Sequence, residues 1–187
     1  LAPDYDATIT PRLLQERGIA LEVELRHLSR HSETTVTGAF LGSDKGGSDE
    51  ENIDPETGLQ EHLGDDRYLA GLTHLGGIGK AWSTFIDLNN VSDNDYFNDF
   101  GSLGQESRSR VNLRRVAGVS YKTDNWDYRV EAQDHQIIID GLEDQYSVLP
   151  KVTANGYYRF DNNLVVDLNN QTARFDHDDP DFVTGDR

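Results

Sequence analysis

The chain has 187 residues, of which 35% are hydrophobic, and its mean hydropathy of −0.68 does not predict a large compact core. Acidic residues outnumber basic ones by 34 to 17, so the net charge of −17 argues against a nucleic-acid partner. The absence of cysteine excludes disulfide bridges and thiolate metal sites. No apolar run approaches the roughly 18 residues that a membrane helix needs, so a membrane location would require β-strands.

Alternating polar and apolar residues predict a hairpin in the first part of the chain. In residues 5–13 the odd positions, which include Tyr5 and Ile9, are mostly apolar, whereas the even positions are polar. After a short turn at 15–18, the same alternation resumes in residues 19–25. The polar positions of the two predicted strands are Asp6, Thr8, Thr10 and Arg12, then Glu22, Glu24 and Arg26.

The rest of the chain predicts seven more strands. They cover about residues 34–41, 67–75, 82–90, 111–122, 126–136, 151–158 and 164–175. The strand from Trp126 alternates most cleanly and places Arg129 and Glu131 on its polar side. In two other predicted strands the alternation is broken, because Phe85 falls on the polar face and Arg115 on the apolar face. Each strand is close to the ~9–11 residues of a tilted membrane-spanning strand.

The connections between the predicted strands, apart from the first hairpin, alternate in length. Residues 29–33, 76–81, 123–125 and 161–163 form short connections, whereas 43–66, 92–110 and 137–150 form long ones. Outer-membrane barrels have short periplasmic turns and long extracellular loops, so the first strand is predicted to run outward. Aromatic residues gather near the short turns (Tyr5, Trp82, Tyr121, Trp126, Tyr158, Phe160) and near the long loops (Phe40, Tyr68, Phe175), as two interfacial girdles would require.

These patterns predict an all-β, antiparallel transmembrane β-barrel fragment of about nine meandering strands. Ile9, Leu21, Val23, Val130 and Ala132 are expected to face lipid, and the polar sets to face the lumen. A soluble antiparallel sandwich shares much of the pattern and stays an alternative. Because single-chain bacterial barrels have even strand numbers, residues 1–187 are interpreted as one partial domain of a larger barrel.

Residues that could carry chemistry do not form a recognisable motif. The segment 43–66 holds nine carboxylates against Lys45, and Ser-Asp-Asn-Asp stands at 92–95, but neither has the spacing of a calcium-binding EF-hand. Solvated acidic loops are the preferred interpretation. The six histidines form no pair on one face, so no metal site is predicted, and no catalytic or cofactor motif occurs. An enzyme is not expected.

Pro11 is the informative exception within the first strand. Proline cannot donate to the backbone ladder and is confined to sheet edges, strand starts or bulges. Because Leu13 continues the alternation beyond it, the interpretation is an interior proline on an edge-like strand.

Several stretches, taken in order, resemble the opening barrel strands of the LptD family. The first is Ala-Pro-Asp-Tyr-Asp-Ala-Thr-Ile-Thr-Pro-Arg at 2–12, and the most specific is Val-Ser-Asp-Asn-Asp-Tyr-Phe-Asn-Asp-Phe at 91–100. Shorter matches are Arg17-Gly18, Glu24-Leu25-Arg26-His27-Leu28, Leu149-Pro150-Lys151-Val152 and Arg174-Phe175-Asp176. Together they span nearly the whole chain.

The resemblance implies a large barrel in the outer membrane of a Gram-negative bacterium that assembles lipopolysaccharide. It implies an LptE-like lipoprotein plug and an LptA-type periplasmic bridge docked on a jellyroll domain that these residues do not include. Lipid would leave through a lateral gate between the first and last strands, while the sugar passes through the lumen. Pro11 matches a gate proline of the family, with Tyr5 and Ile9 along the lipid path.

Another porin-like or receptor barrel, or a soluble β-sandwich adhesin, stays open as an alternative. Dependence on detergent would separate the sandwich from any barrel, and copurification of an LptE-like lipoprotein would separate this family from other barrels.

Overall fold

The computed structural model describes residues 4–46, 53, 58, 62–100, 112–139, 145–177 and 184–186. The strands are β1 (Tyr5–Leu14), β2 (Gly18–Leu28), β3 (Ser32–Leu41), β4 (Arg67–Ile78), β5 (Trp82–Val91), β6 (Asn112–Lys122), β7 (Trp126–Ile137), β8 (Ser147–Arg159), β9 (Val165–Asp176) and β10 (Gly185–Asp186). One short helix, α1 (Tyr96–Phe100), lies between β5 and β6. Among the described residues, no helix is long and apolar enough to cross a membrane.

All ten strands form one antiparallel sheet whose spatial order is the chain order. The predicted all-β meander of nine strands is therefore confirmed as β1 to β9. The two-residue β10 and the helix α1 were not predicted, because elements this short carry no periodicity. Within the described residues β1 pairs with β2 alone, so the sheet is open at β1.

The register gives the sheet two faces of opposite character. Pairing sets Ile9 against Val23 and, one residue along, Thr8 against Glu24, and successive residues of a strand point to opposite faces. We call the face with Ile9 and Val23 the outer face and the face with Thr8 and Glu24 the inner face. Followed from strand to strand, the register places the predicted lipid-facing set on the outer face.

Charged groups are concentrated on the inner face. Within the described parts of β1 to β8, and with histidine left aside, the outer face carries only two charged side chains, Arg115 and Asp134. These two lie opposite each other in β6 and β7, with 3.3 Å between Nη1 and Oδ2. The departures expected at Phe85 and Arg115 are thus real, and the guanidinium charge on the outer face is paired.

Aromatic rings cluster at the end of the sheet that carries the short turns, which we call the short-turn end. Trp82 and Tyr121 have ring centroids 4.6 Å apart, and Trp126 lies 5.6 Å from Tyr128 and 6.3 Å from Tyr158. At the opposite, long-loop end, Phe40 stands across from Tyr68 in the register, while Phe175 contacts Tyr146 at 6.4 Å.

The buried apolar residues lie at the long-loop end of the sheet, where α1 folds back onto it. Tyr96 and Phe100 of α1 are 2% and 5% exposed. The cluster comprises Ala20, Ala39, Leu41, Leu69, Val91, Tyr96, Phe100, Leu113 and Ile138. The inner face is therefore covered at this end.

The start of β8 corrects the sequence interpretation. The strand begins at Ser147, so Pro150, which was assigned to a loop, lies within it after a cis Leu149–Pro150 peptide bond. Glu131 pairs with Lys151 while Gln133 pairs with Val148, and this bulge accommodates a residue that cannot donate to the ladder. Of the three long connections, residues 47–52, 54–57, 59–61, 101–110 and 140–144 lie outside the described residues.

Candidate functional site

Among the described residues the sheet has two open ends, and the one at β1, which contains Pro11, is called the free edge here. The backbone N–H of Leu28 donates to the Asp4 carbonyl at 2.9 Å. Hydrogen-bonded and non-hydrogen-bonded pairs alternate along an antiparallel ladder, so the even residues of β1 bond to β2 and the odd residues direct their backbone groups to the open edge. Pro11, opposite Leu21, is odd. Its missing donor therefore belongs to the open edge, and the ladder with β2 is uninterrupted.

Tyr5 and Ile9 share the outer face with Pro11. Tyr5 is 56% exposed and Ile9 64% exposed, and the Tyr5 ring stacks on His27 at 4.4 Å. The three predicted gate residues thus form one apolar surface along the free edge.

The inner face of β1 and β2 is polar. Thr8, Thr10, Glu22 and Glu24 line a shallow hollow together with residues of β3 and β4. The Nη1 of Arg12 lies 3.6 Å from Glu22 Oε1 and donates to the Phe100 carbonyl at 3.1 Å. Asp6 is exposed. Arg12 therefore connects the edge strand to α1.

Arg129 and Glu131 lie on the same inner face but on β7, so four strands separate them from β2. Glu131 is buried and lies 3.2 Å from Lys151 Nζ and 3.8 Å from Arg129 Nη1. The Arg129 guanidinium stands 5.0 Å from the centre of the Phe85 ring. The predicted lumen-facing residues thus form two groups, one at the edge and one in mid-sheet.

Sequence reasoning missed a buried group of charges at the long-loop end, which we call the ion cluster. It consists of Arg17, Asp44, Arg67, Asp93 and Asp99. Arg67 is 1% exposed and makes two hydrogen bonds to Asp93, at 2.6 and 2.9 Å. It also contacts Asp99, and its Nη1 donates to Asp44 at 3.1 Å. Arg17 bonds to Asp44 at 2.9 Å and lies 2.8 Å from Asp99.

The ion cluster joins segments that are distant in sequence. Its members come from the β1–β2 turn, the two long connections and the start of β4. Burial by itself would raise the pKa of Asp93, but hydrogen bonds from Arg67 and Ser92 outweigh it and hold that pKa below its usual value. Burial, with the negative charge of Glu22, raises the pKa of Tyr96 to about 12. Asp93 is therefore ionised and Tyr96 neutral near pH 7.

The pairs of the ion cluster could not be read from the sequence, because they depend on which loops meet. The one available signal was the stretch 91–100, whose aromatic and acidic residues lie in α1 and in the turn before it.

Comparison with known proteins gives consistent matches. Residues 65–187, more than half of the chain, match the LptD family model, described as LPS transport system D. The chain is 35% identical over 195 residues to the LPS-assembly protein LptD of Saccharophagus degradans, with 100% of this chain and 23% of that relative covered. It is 34% identical over 192 residues to LPS-assembly protein LptD of Shewanella sp. strain MR-4, with 100% and 23% covered. For the protein of that name in Pseudomonas putida strain GB-1 it is 33% identical over 187 residues, with 98% and 19% covered. The chain thus spans about a quarter or less of the length of these relatives.

Proposed function

This chain belongs to the LptD family, and we propose that it supplies the first strands of an outer-membrane barrel that assembles lipopolysaccharide. Residues 1–187 would form one partial barrel domain in the outer membrane of a Gram-negative bacterium. The observation that carries this proposal is the two-faced sheet with an apolar outer face and a free edge at β1. Strands of this kind can satisfy all backbone groups in lipid only when the edge is paired.

The proposed role of the free edge is that of a lateral gate. In hydrocarbon each unsatisfied backbone group costs several kcal/mol, so a seam with a continuous ladder would rarely open. Pro11 has no N–H to offer on the open side, and the closing strand therefore gains one hydrogen bond less. Separation of the seam breaks fewer bonds, and the open state is more populated.

The two faces of β1 would then guide the two parts of an amphipathic lipid. Tyr5, Ile9 and Pro11 offer an apolar path for acyl chains on the outer side. Asp6, Thr8, Thr10 and Arg12, with Glu22 and Glu24 beside them, offer hydrogen-bonding groups for sugars on the inner side. Arg129 and Glu131 would continue the polar wall further around the lumen.

The partners follow from the family. An LptE-like lipoprotein would fill the lumen of the complete barrel, and an LptA-type protein would deliver lipopolysaccharide from the periplasm through a separate N-terminal domain. This role is transport and assembly, with no catalytic step and no cofactor. Depletion of the full-length protein, followed by measurement of lipopolysaccharide at the cell surface and copurification of the lipoprotein, tests it directly.

The gate role is tested with paired substitutions in the full-length protein. Pro11→Ala restores a donor on the open side and should increase disulfide crosslinking between a cysteine at Ile9 and one on the last barrel strand, while slowing export. Ala7→Pro removes a donor on the same side and should have the opposite effect on crosslinking. If both substitutions leave crosslinking and export unchanged, Pro11 is only an edge-strand proline.

A further inference from the structure

The two long connections approach each other beside the ion cluster, and there they bring together one imidazole and two carboxylates. His62 Nε2 lies 3.4 Å from Asp95 Oδ2 and 3.8 Å from Asp93 Oδ1. One ligand atom from each of the three residues lies within 4.8 Å of the other two. All three side chains are partly buried.

Backbone hydrogen bonds position both segments that carry these side chains. The pairing of β4 with β5 extends beyond the strands, since Ser92 N–H donates to the Tyr68 carbonyl at 2.9 Å. Asp65 N–H donates to the His62 carbonyl at 3.0 Å, and Asp44 N–H donates to the Asp65 carbonyl at 2.8 Å. His62 and Asp93 are therefore fixed on neighbouring backbone segments.

We propose that His62, Asp93 and Asp95 bind a divalent transition-metal ion, with zinc as the test ion. Zinc is bound tetrahedrally by nitrogen and oxygen ligands at about 2.0–2.2 Å, which sets neighbouring ligand atoms about 3.3–3.6 Å apart. The 3.4 Å distance already meets this requirement, and the 3.8 Å distance meets it after a shift of a few tenths of an ångström. Water would complete the coordination.

The orientation of the imidazole supports a ligand role. His62 Nδ1 lies 3.3 Å from Asp65 Oδ2. A metal-bound histidine usually donates its other ring N–H to a carboxylate, which fixes the tautomer and directs the free nitrogen at the metal. With the proton on Nδ1, the lone pair of Nε2 points toward Asp93 and Asp95.

The net charge of the ionic groups at and around the three residues is negative, which favours the binding of a cation. Asp44, Asp65, Asp93, Asp95 and Asp99 contribute five negative charges, while Arg17 and Arg67 contribute two positive ones, so the sum is −3 and a divalent ion reduces it to −1. Although Arg67 contacts both oxygens of Asp93, each carboxylate oxygen has two lone-pair sites. Asp93 therefore keeps lone pairs that can coordinate a metal ion while it is bonded to the Arg67 guanidinium.

The imidazole also determines which ion is expected. Calcium and magnesium prefer sites built from oxygen alone, whereas imidazole suits zinc, nickel and copper. An ion here would join the segment before β4 to the segment before α1. This inference concerns metal binding and does not depend on the proposed transport of lipopolysaccharide.

The experiment uses the full-length protein folded in detergent and dialysed against zinc, with bound metal measured by mass spectrometry. The parent should retain one zinc per chain more than either His62→Ala or Asp95→Asn. His31→Ala and Asp161→Asn change an exposed histidine and an exposed aspartate at the short-turn end, and they should retain as much zinc as the parent. Folding of every variant is checked by its heat-dependent mobility in gels.

Two further readouts identify the ligands. Cobalt substituted for zinc should give a visible absorption band that His62→Ala abolishes, because nitrogen coordination and tetrahedral geometry both contribute to it. Calcium or magnesium in large excess should not displace the zinc. Equal zinc content in the parent and both site variants would overturn the proposal, as would displacement of the zinc by excess calcium or magnesium.

Discussion

The two ends of the sheet are held together by different kinds of interaction. At the short-turn end, tight connections join neighbouring strands, and rings from β5, β6, β7 and β8 touch one another in chain order. At the long-loop end, two arginines and three aspartates from distant segments pair with one another beside the buried rings of α1. One end therefore depends on local contacts and the other on long-range charge pairs.

Contacts at the short-turn end can be predicted from the strand register, whereas the charge pairs at the long-loop end cannot. The register places rings of adjacent strands next to each other. Each such aromatic pair contributes ~0.5–1.5 kcal/mol beyond its buried area. Buried ion pairs, by contrast, are costly when one partner is lost. Changes at the long-loop end should therefore have large and cooperative effects, and changes at the short-turn end small and local ones.

The largest effect is expected for Arg67→Met. It removes a cation that Asp44, Asp93 and Asp99 share, and only Asp44 and Asp99 keep Arg17 as a partner. Removing one partner of a buried pair costs about 3–5 kcal/mol. The free energy of unfolding of the full-length protein, measured by denaturant titration, should fall by that amount. Arg114→Met, which removes an exposed inner-face arginine, is the matched control. Equal losses in the two variants would show that the ion cluster does not stabilise the long-loop end.

Between the two ends, the contrast of the faces is tested by arginine at two adjacent positions of β2. Val23→Arg places a charge on the outer face and should cost roughly 2–4 kcal/mol near the membrane midplane. Glu24→Arg places the same side chain on the inner face and should cost much less. The measurement is again the free energy of unfolding in lipid. Equal tolerance at Val23 and Glu24 would contradict the assignment of the outer face to lipid.

In mid-sheet, Gly118→Ala tests the close packing under Phe85. An added Cβ would meet the Phe85 ring at 2.4 Å and the Val130 carbonyl oxygen at 2.8 Å, so neighbouring groups must move. Overpacking of this kind typically costs about 1–3 kcal/mol. Gly38→Ala, whose Cβ would lie 3.8 Å from the nearest described atom, is the control and should be nearly neutral. A larger loss for Gly38→Ala than for Gly118→Ala would be the contrary result.

At the short-turn end, Trp126→Phe should have a small effect. It keeps a ring beside Tyr128 but removes the hydrogen bond from the indole Nε1 to the Tyr158 hydroxyl at 2.7 Å, which is worth about 0.5–1.5 kcal/mol. Unfolding measurements should detect a loss in this range. A loss as large as that of Arg67→Met would remove the distinction between the two ends.

Acid should loosen the long-loop end selectively. The pKa of Asp93 is lowered from 3.8 in the folded chain, so its contribution to stability is present above that value and is lost as the pH falls below it. Hydrogen exchange of the α1 amides should accelerate in that range, while the Thr123 amide, which donates to the Trp126 carbonyl at 2.8 Å, keeps its protection. Acceleration at both ends together would indicate general unfolding instead.

The side assigned to each end is tested by surface labelling. Lys45→Cys lies at the long-loop end and Asp124→Cys at the short-turn end, and both positions are exposed. In intact cells the first should react with a membrane-impermeant reagent and the second should not. The reverse pattern would show that the predicted topology is inverted.

The sequence by itself determined the order of β1 to β9, their two faces and the edge character of β1, although it placed the start of β8 too late. A period of two needs only the alternation of side chains along one strand, and this local signal placed Thr8, Glu24 and Arg129 on one face and Ile9 and Val130 on the other. The sequence also identified Pro11 as a residue that cannot complete a ladder. Only the pairing with β2 showed that its missing donor belongs to the open edge.

Tertiary structure alone decided the long-loop end. Strand pairing brings together the segments that carry Arg17, Asp44, Arg67 and Asp99. A local sequence pattern cannot predict contacts between segments that are so far apart in the chain. The same is true of His62 and Asp93, which are far apart in the chain but adjacent across β4 and β5. Charge pairs and metal ligands form between whichever side chains the register brings within reach, whereas strand periodicity is already present before the chain folds.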